Sequence, residues 1–335
     1  MQRFKSIKQS STHSYFLTEL FRAINHIDSN RILTRHHLNS KDNFYPSAIY
    51  FMDDDLLDWK ALLDIPLPYA FRLWRKATSK RKWLLSSCTE LWVSTPYLAN
   101  KYAAWNPRLL RPIASGPLLE RSWISTSVNS LAPSLSAYEA VSAAVASFAA
   151  DLQFVRICYH GTWSHRDDMK WLAPVIAEVQ RRCPNTVFEV IGGDRVARIF
   201  KGLPRVLVLP TMAWPDYLKH TQTVHQDIGL SPLRDTLFNR GRGPIKFFDY
   251  ARAGAVGVYS AGPAFSDFVS NGVDGFVLEN DPALWVERIV ELVNMPKLRQ
   301  NMADAAWHKV LDNSPASPEI QDYLRDLNKA LEQLN

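Results

Sequence analysis

Residues 154–193 read FVRICYHGTWSHRDDMKWLAPVIAEVQRRCPNTVFEVIGG. Two short apolar runs, Phe154–Tyr159 and Val187–Ile191, bracket a segment of different period. Within it Met169, Leu172, Val175, Ile176 and Val179 recur at helical spacing, with Asp167 and Asp168 in the first turn and Arg181 and Arg182 in the last. Strand, helix and strand in succession predict parallel pairing through a crossover. The pattern repeats downstream in the apolar runs Val206–Leu209, Ile228–Leu230 and Val256–Tyr259. An α/β domain with a parallel sheet and helices on both faces follows.

Upstream the pattern is sparser. Leu17 to Ile27 reads as a helix. Ala48–Met52 is a buried strand that stops at Asp53-Asp54-Asp55, and Leu91–Thr95 is a second, followed by a helix over Tyr97 to Ala104 that Pro96 opens. Residues 113–137, rich in Ser, Pro and Leu, read as a connection, and a small-residue helix runs from about Ser136 to Leu152. The expected division is an N-terminal domain over 1–135 and a C-terminal domain over 136–335. At the far end Ile320, Tyr323, Leu324, Leu327, Leu331 and Leu334 form one apolar helical stripe.

Bulk properties agree with two globular domains. The chain has 335 residues, 47% apolar and 21% charged, with 11 Trp. A net charge of +6 leaves nucleic acid, an anionic membrane surface and phosphate-bearing substrates all open as partners, but no long Lys/Arg tail of the nucleic-acid kind is present and no nucleic-acid partner is expected. Cys88, Cys158 and Cys183 are too few and too irregular for a disulfide framework or a zinc site, which fits a reducing compartment. The first sixteen residues lack an apolar run of signal-peptide length, and Val141 to Ala150 is too short to span a bilayer. A cytoplasmic location is expected.

In an open parallel sheet, ligands bind beyond the carboxyl ends of the strands. Three such places stand out. His160-Gly161-Thr162-Trp163-Ser164-His165 follows the first C-terminal strand; Gly161 permits close approach of a ligand to the backbone, the following helix offers free amides to an anion, and His165 can donate to a phosphate or to a base. A tight turn capped by Ser164, with two surface histidines, is the alternative. Gly192-Gly193 after the next strand suits a turn, beside a ligand or not. The third is Asn239-Arg-Gly-Arg-Gly-Pro-Ile-Lys-Phe-Phe-Asp-Tyr-Ala-Arg-Ala-Gly254. Its glycines make a close-approach loop, and Pro244 suits the first helical position. Arg240, Arg242 and Lys246 supply cations for a diphosphate without a metal. Lys246 and Asp249 share a helix face, so Asp249 can accept from ribose hydroxyls while Lys246 reaches phosphate or sugar; taken alone the two also read as a surface ion pair.

These pieces, together with Phe188–Gly193, Asp227–Leu233 and Val269-Ser-Asn-Gly-Val-Asp-Gly-Phe-Val-Leu278, resemble the donor-binding domain of GT-B glycosyltransferases, especially glycosyltransferase family 4, the glycosyl transferases group 1 proteins. Residues 48–112 resemble their acceptor domain more loosely. The resemblance implies two Rossmann-like domains facing a cleft, with a reduced N-terminal one. It also implies a nucleoside-diphosphate sugar donor and retaining, metal-independent transfer in surface polysaccharide or glycolipid synthesis. The family's second glutamate falls on Asp249 and its first on Gly241, so that acid is absent; nor are its usual Arg and Lys evident around Thr162. Arg242 and Lys246 are the replacements expected, and with His165 the candidates for catalysis. The donor-binding set is Gly161, Thr162, His165, Gly192, Asn239, Arg242, Lys246 and Asp249.

Asp53, Asp54 and Asp55 are expected on the acceptor side. Three other readings remain: a capping cluster for Leu56 to Leu63, a base for an acceptor hydroxyl, and an Asp-x-Asp metal motif. The basic, aromatic stretch Arg72 to Leu85 either rests on an anionic bilayer beside a lipid-linked acceptor or is a solvated helix with Trp74 and Trp83 in the core. Two other functions stay open: a nucleotide-sugar epimerase, and a non-catalytic subunit that binds a nucleotide or a partner glycosyltransferase.

Overall fold

The computed structural model describes residues 32–34, 48–114, 154–161 and 163–332. The expected helices over 17–27 and 136–152, the domain boundary, Thr162 and Leu334 lie outside the described residues. Among the described residues there are two sheets, both wholly parallel.

The N-terminal sheet runs β1 (Ile32–Leu33), β2 (Ala48–Met52), β3 (Cys88–Val93) and β4 (Arg108–Leu109), in that order. All five residues of β2 are buried, and they alternate between two cores. Ala48, Tyr50 and Met52 face a cluster with Leu73, Leu84 and Leu98. These come from α1 (Leu67–Lys76), α2 (Arg81–Ser87) and α3 (Pro96–Lys101). Ile49 and Phe51 face Ile320, Leu324, Leu327 and Leu331 of the last helix, Pro318–Glu332. The terminal stripe read from the sequence is thus buried against the N-terminal sheet. Strand β3 ends at Val93 rather than Thr95 because the Thr95 hydroxyl caps α3, accepting from Leu98 N with Pro96 next in line. Helix α3 stops at Lys101, and a 3-10 turn at Ala103–Trp105 completes the expected segment.

The C-terminal sheet holds β5 (Val155–His160), β6 (Thr186–Ile191), β7 (Val206–Leu209), β8 (Ile228–Ser231), β9 (Val256–Ser260) and β10 (Gly275–Leu278), ordered β10-β9-β8-β5-β6-β7. Helix α4 (Arg166–Arg182) is the crossover from β5 to β6. Its buried face, Met169, Leu172, Val175, Ile176 and Val179, joins Ile157, Tyr159, Phe188 and Val258 in one core. After the helices α5 (Asp194–Ala197), α6 (Trp214–Thr223) and α7 (Leu237–Arg240), the other face of the sheet packs on α8 (Ile245–Arg252) through Phe247, Phe248 and Tyr250. Gly229 exists for this contact: a Cβ there would lie 2.2 Å from Tyr250 Cγ. Strand β10 was not anticipated. It is four residues long with Phe276 and Val277 half-buried, a pattern too short to register as a strand.

Candidate functional site

A cleft lies between the sheets, beyond the C-terminal ends of β5, β6, β7 and β8. It is lined by Gly161, Ile191, Thr211 and Ser231 from those ends, by Arg242, Lys246 and Asp249, and by Asp53, Asp54 and Tyr69 from the N-terminal domain. The strand order changes direction between β8 and β5, and the cleft opens there.

Arg242 sits in the loop before α8. Its Nη1 donates to His165 Nε2 at 3.1 Å, while His165 Nδ1 meets Asp168 Oδ2 at 3.1 Å. That arrangement fixes the tautomer: the proton is on Nδ1, and Nε2 offers a lone pair. Burial, then the nearby Arg242 charge, lowers the pKa of His165, in keeping with a neutral ring. Among the described residues Arg242 has no carboxylate partner, and its buried Nε has no hydrogen-bond partner at all. A buried donor left open in this way is an unmet demand that a ligand can satisfy.

Lys246 and Asp249 lie one turn apart on α8, with Nζ 3.1 Å from Oδ2. The other oxygen of Asp249 accepts from Arg252 Nη2 at 2.9 Å. Asp249 is buried and flanked by two cations, so any ribose contact must share a carboxylate already in use. Pro244 precedes the helix rather than opening it, and the amide of Ile245 bonds back to Gly243 O. Fewer free amides face the cleft than the sequence implied, so more of the work falls to the side chains.

Several expected residues stand elsewhere. Gly192 does not line the cleft; its N–H donates to Leu209 O, and a Cβ would come within 2.2 Å of Val196 Cγ2, so packing demands the glycine. Asn239 is bound within its own loop, Nδ2 to Arg234 O and N to Thr236 Oγ1. Arg240 pairs with exposed Asp235. Asp53 and Asp54 reach the cleft, whereas Asp55 is fully buried, accepting from Lys101 Nζ and Tyr102 OH. Burial outweighs these two donors and raises its pKa.

His160 is no surface histidine. It is 2% exposed and belongs to a network around Glu189, which is fully buried in β6. Oε1 of Glu189 faces His160 Nε2 (3.2 Å), His220 Nε2 (2.8 Å) and Gln226 Nε2 (2.9 Å), and Oε2 accepts from Arg156 (2.9 Å). Burial pushes this carboxyl up, but the two histidines and Arg156 outweigh it and hold it well below the usual range. Burial lowers His160. His160, Glu189 and His220 are the described residues that gather as metal ligands would. Arg156 already neutralises the carboxylate, however, and its oxygens are taken by four N–H groups, so the set is satisfied without an ion. The sequence carried a signal for this network: a glutamate inside an apolar strand buried on both faces must be paired. The His165–Asp168 spacing of three residues was a similar signal.

Residues 155–295 match the family described as glycosyl transferases group 1. The match covers the C-terminal sheet and less than half of the chain, so the C-terminal domain is similar to that family. The described residues, with their two parallel sheets, have the GT-B fold. The chain superposes on WaaG, a glycosyltransferase involved in lipopolysaccharide biosynthesis, with a TM-score of 0.57 over 83% of this chain and 75% of WaaG at 14% identity. TarM of S. aureus, solved with UDP, gives 0.54 over 86% of this chain at 11% identity. HepE of Anabaena, solved with UDP and glucose, gives 0.52 over 86% of this chain and 70% of HepE at 12% identity. The chain spans about half the length of TarM, 51%. No curated protein matches it by sequence.

In the C-terminal domain, Gly241 is the residue onto which the resemblance would place the family's first acid. A Cβ there would lie 3.0 Å from Asp55 N, 3.1 Å from Asp55 Cβ and 3.3 Å from Leu98 Cδ2. The N-terminal domain fills the space in which that side chain would start. A residue larger than glycine at this position would therefore have to displace Asp55 or Leu98.

Proposed function

We propose that this protein transfers a sugar from a nucleoside-diphosphate sugar to a glycan or glycolipid acceptor, with retention and without a metal, in surface polysaccharide synthesis. The observation that carries the reading is Arg242: a cation in the interdomain cleft with no carboxylate partner among the described residues, aimed by neutral His165, and with an open buried N–H. With Lys246 at the foot of α8 it offers charge and direction to a diphosphate. Their task is to stabilise the leaving group as the bond from the anomeric carbon to the diphosphate oxygen breaks. The acceptor oxygen bonds to that carbon, and its proton passes to the departing phosphate or to Asp53 or Asp54 on the opposite wall. TarM and HepE, both solved with UDP, support a nucleotide in the cleft.

The acceptor side carries an apolar surface suited to a lipid-linked substrate. Leu67, Phe71 and Trp74 recur at helical spacing on α1 and are 81%, 64% and 46% exposed, with Trp59 and Leu63 exposed nearby. Arg72 and Arg75 are exposed on the same helix. A helix presenting aromatics beside arginines suits the interface of an anionic bilayer. Trp74 therefore departs from the core position that was the alternative, while Trp83 is half-buried. No described helix is long and apolar enough to cross a membrane.

The filled space at Gly241 favours a second reading, a subunit that binds nucleotide without transfer. Calorimetry with UDP-, GDP- and dTDP-sugars, followed by product analysis with lipid-linked and free glycans, separates the two. Binding that Arg242→Ala and Lys246→Ala each weaken at least tenfold, with a new glycosidic product, supports transfer. Binding without transfer or hydrolysis supports the second reading. No binding at all rejects both.

A further inference from the structure

The loop that carries Arg242 belongs to the C-terminal domain by sequence and to the N-terminal domain by packing. It leaves β8 at Ser231 and returns at α8, so both ends are fixed in the C-terminal domain. Its start is tied there too, with Arg234 N donating to Asp168 Oδ1 at 3.3 Å. Its middle crosses the cleft. A single helical turn, Leu237–Arg240, has its first amide bonded to Asp64 Oδ2 at 2.8 Å, and Phe238 is fully buried in the N-terminal core with Leu56, Leu62 and Leu98. Gly241 then lies against the backbone of Asp55, and the Thr95 hydroxyl reaches Gly241 O at 3.5 Å. Arg242 is the next residue. One side of its guanidinium bonds His165 of the C-terminal domain, and its Cζ lies 5.3 Å over the ring of Phe238.

We infer that Phe238 is a positioning residue: inserted in the acceptor-side core, it holds the 235–243 strap and orients Arg242, so that the diphosphate grip is complete only while the two domains are in contact. This rests on the reading of Arg242 as a diphosphate ligand. The physical ground is that Arg242 has two supports, His165 of the C-terminal domain and the Phe238 ring, which the N-terminal core holds in place. Hydrogen bonding to His165 sets the direction of one nitrogen, and the ring of Phe238 sets the plane through a cation–π contact. Parting of the domains must either withdraw Phe238 from its core, which is opposed by the burial of a large apolar ring, or draw Arg242 away from His165. The strap thus makes donor affinity depend on the acceptor domain without any N-terminal side chain touching the diphosphate. Gly241 is what permits it, since a side chain there would push the strap off Asp55.

The test uses the full chain and the probes UDP, GDP and dTDP, titrated by calorimetry. Phe238→Leu keeps an apolar core residue but removes the ring face; Gly241→Ala leaves the core intact but crowds Asp55. Each is expected to weaken diphosphate binding by about tenfold, the scale of one displaced charge-assisted hydrogen bond. In an Arg242→Ala background the further loss from Phe238→Leu is expected to vanish, because the residue acts through the arginine. Hydrogen exchange is expected to speed up at Asn239, Gly241 and Arg242 in Gly241→Ala, with the amides of β5 unchanged. If no diphosphate binds the wild type, the donor reading fails and this inference with it. If binding is present but Gly241→Ala leaves it unchanged, or if the effects of Phe238→Leu and Arg242→Ala simply add, this inference alone is overturned.

Discussion

Glu189→Gln removes one negative charge and turns one acceptor into a donor at a point closed to solvent. Four N–H groups converge on the carboxylate, three at Oε1 and one at Oε2. An amide offers a single acceptor oxygen, so either orientation sets its NH2 against groups it cannot bond. With the amide nitrogen toward Arg156, the guanidinium loses its counter-charge. Turned around, it faces His160, His220 and Gln226. Breaking a buried pair costs about 3–5 kcal/mol. Arg156 is 26% exposed, so water recovers part of that loss. A histidine can also change tautomer, since His160 Nδ1 can donate to Tyr217 OH at 3.2 Å. The expected destabilisation is therefore about 2–3 kcal/mol, below the full range. For a domain of this size that lowers the melting temperature by about 5–10 °C. Urea unfolding followed by tryptophan fluorescence and by circular dichroism measures it, with Glu178→Gln as the surface control. Glu178 pairs with Arg181 in the open, and its loss should leave the melting temperature unchanged. A Glu189→Gln protein within about 1 kcal/mol of wild type would show that the Glu189 network does not hold the domain.

Burial lowers both His160 and His165, so the unfolded chain takes up their protons first as pH falls. Stability should be flat above about pH 6.5 and drop between 6.5 and 5.5, before most carboxylates titrate; a urea midpoint that rises over that interval would contradict the neutral assignment. Burial pushes the Cys88 thiol to about 11 and raises Cys158 and Cys183, so iodoacetamide at pH 7.5 should label none of the 3 cysteines in the native protein and all of them in guanidinium. Labelling of the native chain at Cys158 would mean that the core opens. Phe71→Asp with Trp74→Asp should abolish sedimentation with vesicles containing phosphatidylglycerol while leaving the melting temperature within about 2 °C, because both side chains are solvent-exposed. Equal sedimentation of variant and wild type would place any membrane contact elsewhere.

The sheet of the C-terminal domain was legible because periodicity reports burial. Val206–Leu209 coincides with β7, and the other four runs shift by a residue at one or both ends. The strands stand out because both faces of the sheet are covered, and the helices because only one of theirs is. The last helix was legible as a stripe, but not for its partner; nothing in Ile320 to Leu331 says that it returns to a sheet some 270 residues earlier in the chain. The site divides in the same way. Gly161, His165, Arg242, Lys246 and Asp249 follow strand ends and meet in the cleft, as position after a strand predicts. Gly192 follows a strand too, yet its reason is Val196, a local contact that looks like a ligand loop in one dimension. Asn239 and Arg240 share the motif of Arg242 but lie on the turn that faces its own loop and solvent. Phe238 carried no signal, because an apolar residue in a loop does not declare which domain will bury it.

Why the cleft uses a histidine to hold its arginine follows from charge. A carboxylate beside Arg242 would fix its direction equally well, but would neutralise it, and an anionic diphosphate would then meet a dipole instead of a cation. Lys246 shows that case, with Asp249 bonded to it and Arg252 sharing the acid. A neutral imidazole accepts one N–H bond and leaves the full charge for the ligand. The imidazole must itself be held in one tautomer, and Asp168 does so from the first turn of α4, with its other oxygen on the amide of Arg234 at the root of the strap. The negative charge is thus kept one residue away from the cation, where it orients the pair at the cost of only part of the attraction. Filling the space at Gly241 acts in the same direction: it keeps a glutamate out of the strap immediately before Arg242, so the one cation of the cleft that lacks an acid partner among the described residues stays that way.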